Sequence, residues 1–261
     1  MAAGKTCGPW ECTKPRRVLY IDGEMPLDGI KERVRTLCKG KYSRSMSFLS
    51  HERFLDKEGK ILNFSDPQNQ QAMLKTCIDQ KVEIVVIDNL SCLLTGMAEN
   101  DADSWEVVLP WLLQLRRHRI SVIFIHHANR TGKNMRGTSR REDAAFWVIR
   151  LDEVSNSLFR EGEGAQFITR FTKNRQGTEI ETSPQDWRFE PDGNSTQITF
   201  KSVSSLDLFL QLIEDGLTSC TDIATEMGAT KGTISKLAKK AKEKGLLVFE
   251  GSGRGTTYKL K

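Results

Sequence analysis

The chain has 261 residues, of which 38% are hydrophobic and 28% charged, and its formal net charge is +5. This length suits one large domain plus a small one, and the lack of any run of about 18 apolar residues excludes a membrane-spanning helix. No apolar stretch follows Met1-Ala2-Ala3-Gly4-Lys5-Thr6, so a secretory signal is not expected and the expected compartment is the cytoplasm.

The first apolar run, 18–21, ends in Asp22 and reads as a buried strand. Helical spacing follows from near Pro26, through Ile30, Val34 and Leu37. A second strand-like run, 82–87, ends in Asp88, a helical stretch covers 107–115, and a third run, 120–125, ends in His126-His127. Strands alternating with helices predict an α/β fold with a parallel sheet covered on both faces. Ligands in such sheets bind beyond the carboxyl ends of the strands. After Asp143 the segments shorten and alternate, as at 166–173 and 196–202, with turn residues Gly162, Gly164, Gly177 and Pro191-Asp192-Gly193 between them. These are expected to be antiparallel strands completing the same sheet. A polar junction at 202–205 sets the expected boundary between domains 1–203 and 204–261.

Six scattered cysteines suit reduced thiols rather than a disulfide framework. Cys7 and Cys12 are the closest pair, and with no second Cys/His pair at zinc-like spacing they read as loop residues.

The polar residues at the strand ends carry the chemistry. Asp88, fixed on a rigid strand end, suits the acid that holds a phosphate-bridging magnesium ion, a hard cation that takes oxygen ligands, with an ordinary turn or helix cap as the alternative. Glu24 stands just past its own strand, where a carboxylate can polarise water for attack on a terminal phosphate. The bland alternative is that Asp22 or Glu24 caps the helix near Pro26. His126 and His127 supply hydrogen-bonding groups at the third strand end, although only one can point toward a shared site from extended backbone.

Four stretches make a resemblance specific: Arg17-Val18-Leu19-Tyr20-Ile21-Asp22-Gly23-Glu24-Met25, Ile84-Val85-Val86-Ile87-Asp88-Asn89-Leu90, His126-His127-Ala128-Asn129-Arg130 and Arg136-Gly137-Thr138-Ser139-Arg140-Arg141-Glu142-Asp143, the last being the most distinctive. They resemble the RecA-like AAA-type ATPases that include hexameric plasmid replication helicases, over residues 16–189. The resemblance implies ATP and Mg2+ as cofactors and a ring-shaped homo-oligomer such as a hexamer. It implies Glu24 as catalytic glutamate, Asp88 as the magnesium-side aspartate, and His126 or His127 as phosphate sensor. Lys173 and Arg175 lie two apart in Phe171-Thr172-Lys173-Asn174-Arg175-Gln176-Gly177, on one side of an extended backbone. The resemblance suggests them as fingers acting on a neighbouring subunit's nucleotide. A solvated turn is the alternative.

A phosphate-binding loop needs G-x-x-x-x-G-K-[ST] between strand and helix. The sole Gly-Lys-Thr, at 4–6, lacks the preceding glycine and strand. Compared with the family, the chain is expected to begin about one strand, one loop and one helix late, through a truncated gene, a late start codon or descent to a nucleotide-free form.

The carboxy-terminal part is helical and basic. Residues 206–215 have helical spacing, Ser219-Cys220-Thr221-Asp222 resembles a capping box, and Gly228-Ala229 makes a turn. In the helix expected over 230–244, Ile234, Leu237, Ala238 and Ala241 form an apolar stripe. Two strands, 246–250 and 256–260, flank a glycine-rich tip carrying Arg254. From 229 to 261 there are nine Lys/Arg against two acids, the electrostatic footprint of a nucleic-acid face. The pattern resembles a winged helix-turn-helix, with Lys231, Thr233, Lys236, Lys239, Lys240 and Arg254 as candidate DNA contacts. The alternative is a winged helix used for protein contacts.

The functional expectation is an ATP-dependent DNA helicase-type ATPase of plasmid, phage or other mobile-element replication. Two alternatives stand beside it: an inactive ATPase-fold scaffold serving a DNA-binding regulator, and a RecA-like recombination or repair ATPase.

Overall fold

The computed structural model describes residues 1–95, 103–127, 140–154, 163–251 and 256–261. The chain forms two compact units, residues 1–146 with 191–196 and residues 147–190 with 197–261. The boundary expected at 203/204 falls inside the second unit.

In the first unit, Val18–Asp22 forms β1, Leu27–Leu37 α1, Met46–Ser50 β2, His51–Glu58 α2, Pro67–Asp79 α3, Ile84–Asp88 β3 and Leu90–Leu93 α4. Leu109–Arg117 then forms α5, Ser121–Phe124 β4 and Arg140–Asp143 α6. The four strands make one sheet in the order β2-β1-β3-β4, parallel throughout. The expected α/β architecture is therefore the observed one. Alternation along the strands sends Leu19, Ile21, Val85 and Ile87 into a core with Leu62, Phe64, Met73, Leu74, Cys77, Trp111 and Leu115. Phe64 stacks on Trp111 at 4.8 Å between ring centroids. Each fully buried aliphatic or aromatic side chain contributes about 1.5–3 kcal/mol. Helix starts are specified locally: Ser50 accepts the Arg53 N–H ahead of α2, and Asp66 accepts the Gln68 N–H ahead of Pro67 in α3. Gly59, at φ 67°, ends α2 in the left-handed conformation that a side chain disfavours.

In the second unit, apart from residues 191–196, Trp147–Glu153 forms β5, Ala165–Asn174 β6, Glu179–Thr182 α7, Gln185–Asp192 β7 and Ser195–Ser202 β8. Ser205–Glu214 forms α8, Cys220–Met227 α9, Lys231–Glu243 α10, Leu247–Glu250 β9 and Thr257–Leu260 β10. β5-β6-β7-β8 is a four-stranded sheet of its own, antiparallel where β5 meets β6 and β6 meets β7. The expectation that these strands complete the parallel sheet is corrected. Alternating polarity specifies a half-buried strand, but not which sheet it joins. The three helices pack through Leu206, Phe209, Leu212, Ile223, Ile234, Ala238 and Ala241, with Leu247 and Tyr258 added by the antiparallel β9-β10 ribbon. Ser204, Ser219 and Thr230 each accept a backbone N–H at a helix start, and Gly228, at φ 60°, turns the chain out of α9.

An ionic cluster joins sheet and helices within this unit. Arg150 bonds Asp152 at 2.5 Å and also Glu226 of α9, while Arg170 bonds Asp152 and lies 3.7 Å from Glu226. These side chains are only 12–16% exposed. Burial works against the charge of Arg150, but Glu226 and Asp152 outweigh it and raise its pKa.

Among the described residues no helix is long and apolar enough to cross a membrane.

Candidate functional site

Parallel pairing of β1 and β3 sets Asp22 beside Asp88 at the carboxyl ends of adjacent strands. The Gly23 N–H donates to the Asp88 carbonyl at 2.6 Å, so the chain leaving β1 stays against the end of β3. A Cβ on Gly23 would lie 2.8 Å from Leu93 Cγ, so this close approach of loop and α4 requires glycine. Asp22 is buried, and its Oδ1 accepts the N–H groups of Glu24 at 3.0 Å and Met25 at 2.7 Å. Its carboxylate shapes the turn that presents Glu24. Neither Asp22 nor Glu24 caps α1: its N-cap is Pro26, without a side-chain bond, and Leu27 N–H donates to Glu52 at 2.8 Å.

The exposed Glu24 carboxylate accepts from Asn89 Nδ2 at 2.6 Å and lies 3.5 Å from His127 Nε2. Asn89 Nδ2 is in turn 3.2 Å from His127 Nε2. The backbone pins the histidine end of β4 in place, because Ile125 N–H donates to Ile87 and Leu90 N–H donates to Ile125. Three strand ends thus contribute to one cluster. His127 is the histidine that meets Glu24, and His126 is the more buried of the two. Asp88 accepts a hydrogen bond from the Tyr20 hydroxyl, and burial together with that bond pushes the Tyr20 pKa well above its ordinary value. Tyr20 therefore stays a neutral donor that orients the aspartate. Burial, followed by the Glu24 charge, likewise pushes up the Cys92 thiol.

The donor set is hard oxygen. Among the described residues no group of three or more His, Cys, Asp or Glu is placed to hold a metal. A carboxylate such as Asp88 is the kind of oxygen ligand that magnesium takes, its shell being completed by water and phosphate oxygens.

Lys173 lies near the end of β6 opposite Val148, whereas Arg175 follows the strand, which ends at Asn174. Asn174 Oδ1 accepts the N–H groups of Gln176 at 3.1 Å and Gly177 at 2.6 Å and turns the chain. The expected placement of both cations on one side of an extended backbone is corrected, because the turn interrupts the alternation between them. Both belong to the second unit; Glu24, Asp88 and His127 belong to the first. Residues 128–139, which include the first half of the Arg136–Asp143 stretch, lie outside the described residues, as do the side chains of Arg140 and Arg141 and the whole of Arg254.

On α10, Lys231, Thr233, Lys236, Lys239 and Lys240 are all exposed, while Ile234, Ala238 and Ala241 are buried. Two further cations are committed elsewhere: Lys242 lies 4.5 Å over the Phe249 ring, and Lys259 pairs with Glu250 at 3.3 Å.

Sequence reasoning passed over Asn89 and Tyr20. An asparagine immediately after a strand-ending aspartate and before an apolar run is an N-cap signal, and that signal was present in Asp88-Asn89-Leu90.

The parallel sheet thus carries acidic and histidine groups together at its carboxyl end. Residues 1–133 match a family model described as AAA domain. The chain belongs to the AAA domain family. No curated protein matches it in sequence. Among solved structures it is similar to a KaiC-like protein from the hyperthermophilic archaeon Pyrococcus horikoshii, with 15% identity and a TM-score of 0.48, over 70% of this chain and 76% of that one.

Proposed function

We propose that this chain is the hydrolysis and sensing part of an ATP-dependent, helicase-type DNA motor of plasmid, phage or mobile-element replication, working as a homo-oligomeric ring. The observation that carries the reading is the meeting of Glu24 and His127 beside Asp88 at the end of the parallel sheet. Asp88 would hold magnesium, which when bound neutralises charge on the phosphates. Glu24 accepts the proton of the attacking water, and His127 hydrogen-bonds the terminal phosphate and reports its departure. Lys173 and Arg175 act on the nucleotide of the adjacent subunit. Residues 204–261 form a winged helix-turn-helix that meets DNA through Lys231, Thr233, Lys236, Lys239, Lys240 and Arg254.

The second reading is an ATPase-fold scaffold for a DNA-binding regulator; the 261 residues themselves contain no G-x-x-x-x-G-K-[ST]. Turnover by this chain alone is accordingly expected to be weak or absent. The DNA directly upstream of the Met1 codon separates the readings. An in-frame G-x-x-x-x-G-K-[ST] supports the motor, and the longer chain should then hydrolyse ATP with kcat reduced about a hundredfold or more by Glu24→Gln. A stop codon there, or full activity in Glu24→Gln, counts against it.

A further inference from the structure

We infer that Asn89 is the positioning residue of this site, a fixed amide that holds the Glu24 carboxylate and the His127 ring in one arrangement. Its part in turnover rests on the ATP-hydrolysing reading above; its hydrogen-bond geometry does not.

Asn89 is 2% exposed and caps α4, with Oδ1 accepting the Cys92 N–H at 3.1 Å. An N-cap must offer an oxygen to the free N–H groups of the first helical turn, so the helix fixes which way this amide faces. Nδ2 is therefore turned to the strand ends. There it meets Glu24 Oε2 at 2.6 Å and His127 Nε2 at 3.2 Å. An amide nitrogen carries two hydrogens and offers no lone pair. One hydrogen goes to the carboxylate and the other to the ring, which requires His127 Nε2 to be unprotonated and the neutral ring to carry its proton on Nδ1.

The other protonation of Nε2 changes the partners. A ring protonated at Nε2 would face the two hydrogens of Asn89 with a third, and would donate instead to Glu24, 3.5 Å away, or to a phosphate oxygen. Asn89 would then hold Glu24 alone. The state of the histidine is thus written into the number of bonds that Asn89 makes, and the carboxylate and the ring cannot rearrange independently.

The test is the tautomer of His127 in the full chain, read from 15N shifts of labelled histidine at a pH where the ring is neutral. The native protein should show protonated Nδ1 and bare Nε2. Asn89→Ser and Asn89→Asp both retain an oxygen cap for α4, so both are expected to fold. Serine removes the amide donor and should release the ring from the Nδ1–H form. Aspartate offers an acceptor and should move the ring to Nε2–H. A native ring protonated at Nε2, or a tautomer unchanged in both variants, overturns the inference; if neither variant folds, the native tautomer alone decides. In a form of the enzyme that turns over ATP, Asn89→Ser should lower kcat about tenfold with KM within about twofold. Failure of the native enzyme to hydrolyse ATP would count against the ATPase reading, with the tautomer still deciding the role of Asn89.

Discussion

Replacing Glu226 by alanine should destabilise the second unit by about 3 kcal/mol. The cluster it belongs to holds two guanidinium groups, Arg150 and Arg170, and two carboxylates, Asp152 and Glu226, so it is neutral as built. Without Glu226, the cluster loses one of its two carboxylates in surroundings that leave the four side chains 12–16% exposed. Removing one partner of a buried ion pair costs about 3–5 kcal/mol, and the residual exposure argues for the lower end. The control is Glu250→Ala, which breaks the Lys259 pair at 67% and 57% exposure and should cost less than about 0.5 kcal/mol. Urea unfolding followed by tryptophan fluorescence measures both. Combining Glu226→Leu with Arg150→Met should recover most of the loss, because an apolar pair of similar volume carries no uncompensated charge. A cost below about 1 kcal/mol for Glu226→Ala, indistinguishable from the exposed control, would refute the reasoning.

On the proposed DNA-binding role, changing Lys236, Lys239 and Lys240 to Gln should weaken DNA binding and flatten its dependence on salt by roughly 0.9 in log-log slope per lysine that contacts a phosphate, as read by fluorescence anisotropy across a salt series. Gly232, in the first turn of α10, would meet nothing nearer than Thr230 Oγ1 at 3.7 Å if given a Cβ. Gly232→Ala should therefore raise thermal stability by about 0.5 kcal/mol, while DNA pressed against that face would be bound less tightly. Burial pushes the Cys77 thiol up from 9.0 to about 11. The folded state thus keeps a proton that the unfolded chain gives up, and stability should fall as pH rises from about 9 to about 11. A Cys77→Ala chain should show a shallower decline over the same range.

The parts legible in the sequence are those whose signals are local. β1, β3 and β4 announce themselves as apolar runs ending in polar residues, and the starts of α9 and α10 are written in Ser219 and Thr230. β2 was missed because Met46–Ser50 lies at the sheet edge, where exposed Ser47 and Phe48 blur the apolar pattern. The grouping of β5 to β8 into a separate sheet depends on pairing partners that no periodicity names. Glu24 and Asp88 were visible as residues, but the Asn89–Glu24 and Tyr20–Asp88 bonds span 65 and 68 positions and exist only once β1 and β3 are aligned. Arg175 was misread because Asn174 ends the strand through bonds to its own following backbone, a competition between turn and ladder that composition leaves open.

The pairing of Asp22 with Asp88 makes this site sensitive to insertions and deletions in a way that substitutions do not reveal. Side chains alternate with a period of two along a strand, so losing one residue from β1 or β3 would turn every following side chain to the opposite face. Tyr20 would part from Asp88, and Leu19 and Ile21 would leave the core that holds the sheet. Chains descended from this one should therefore keep the residue count of these two strands unchanged.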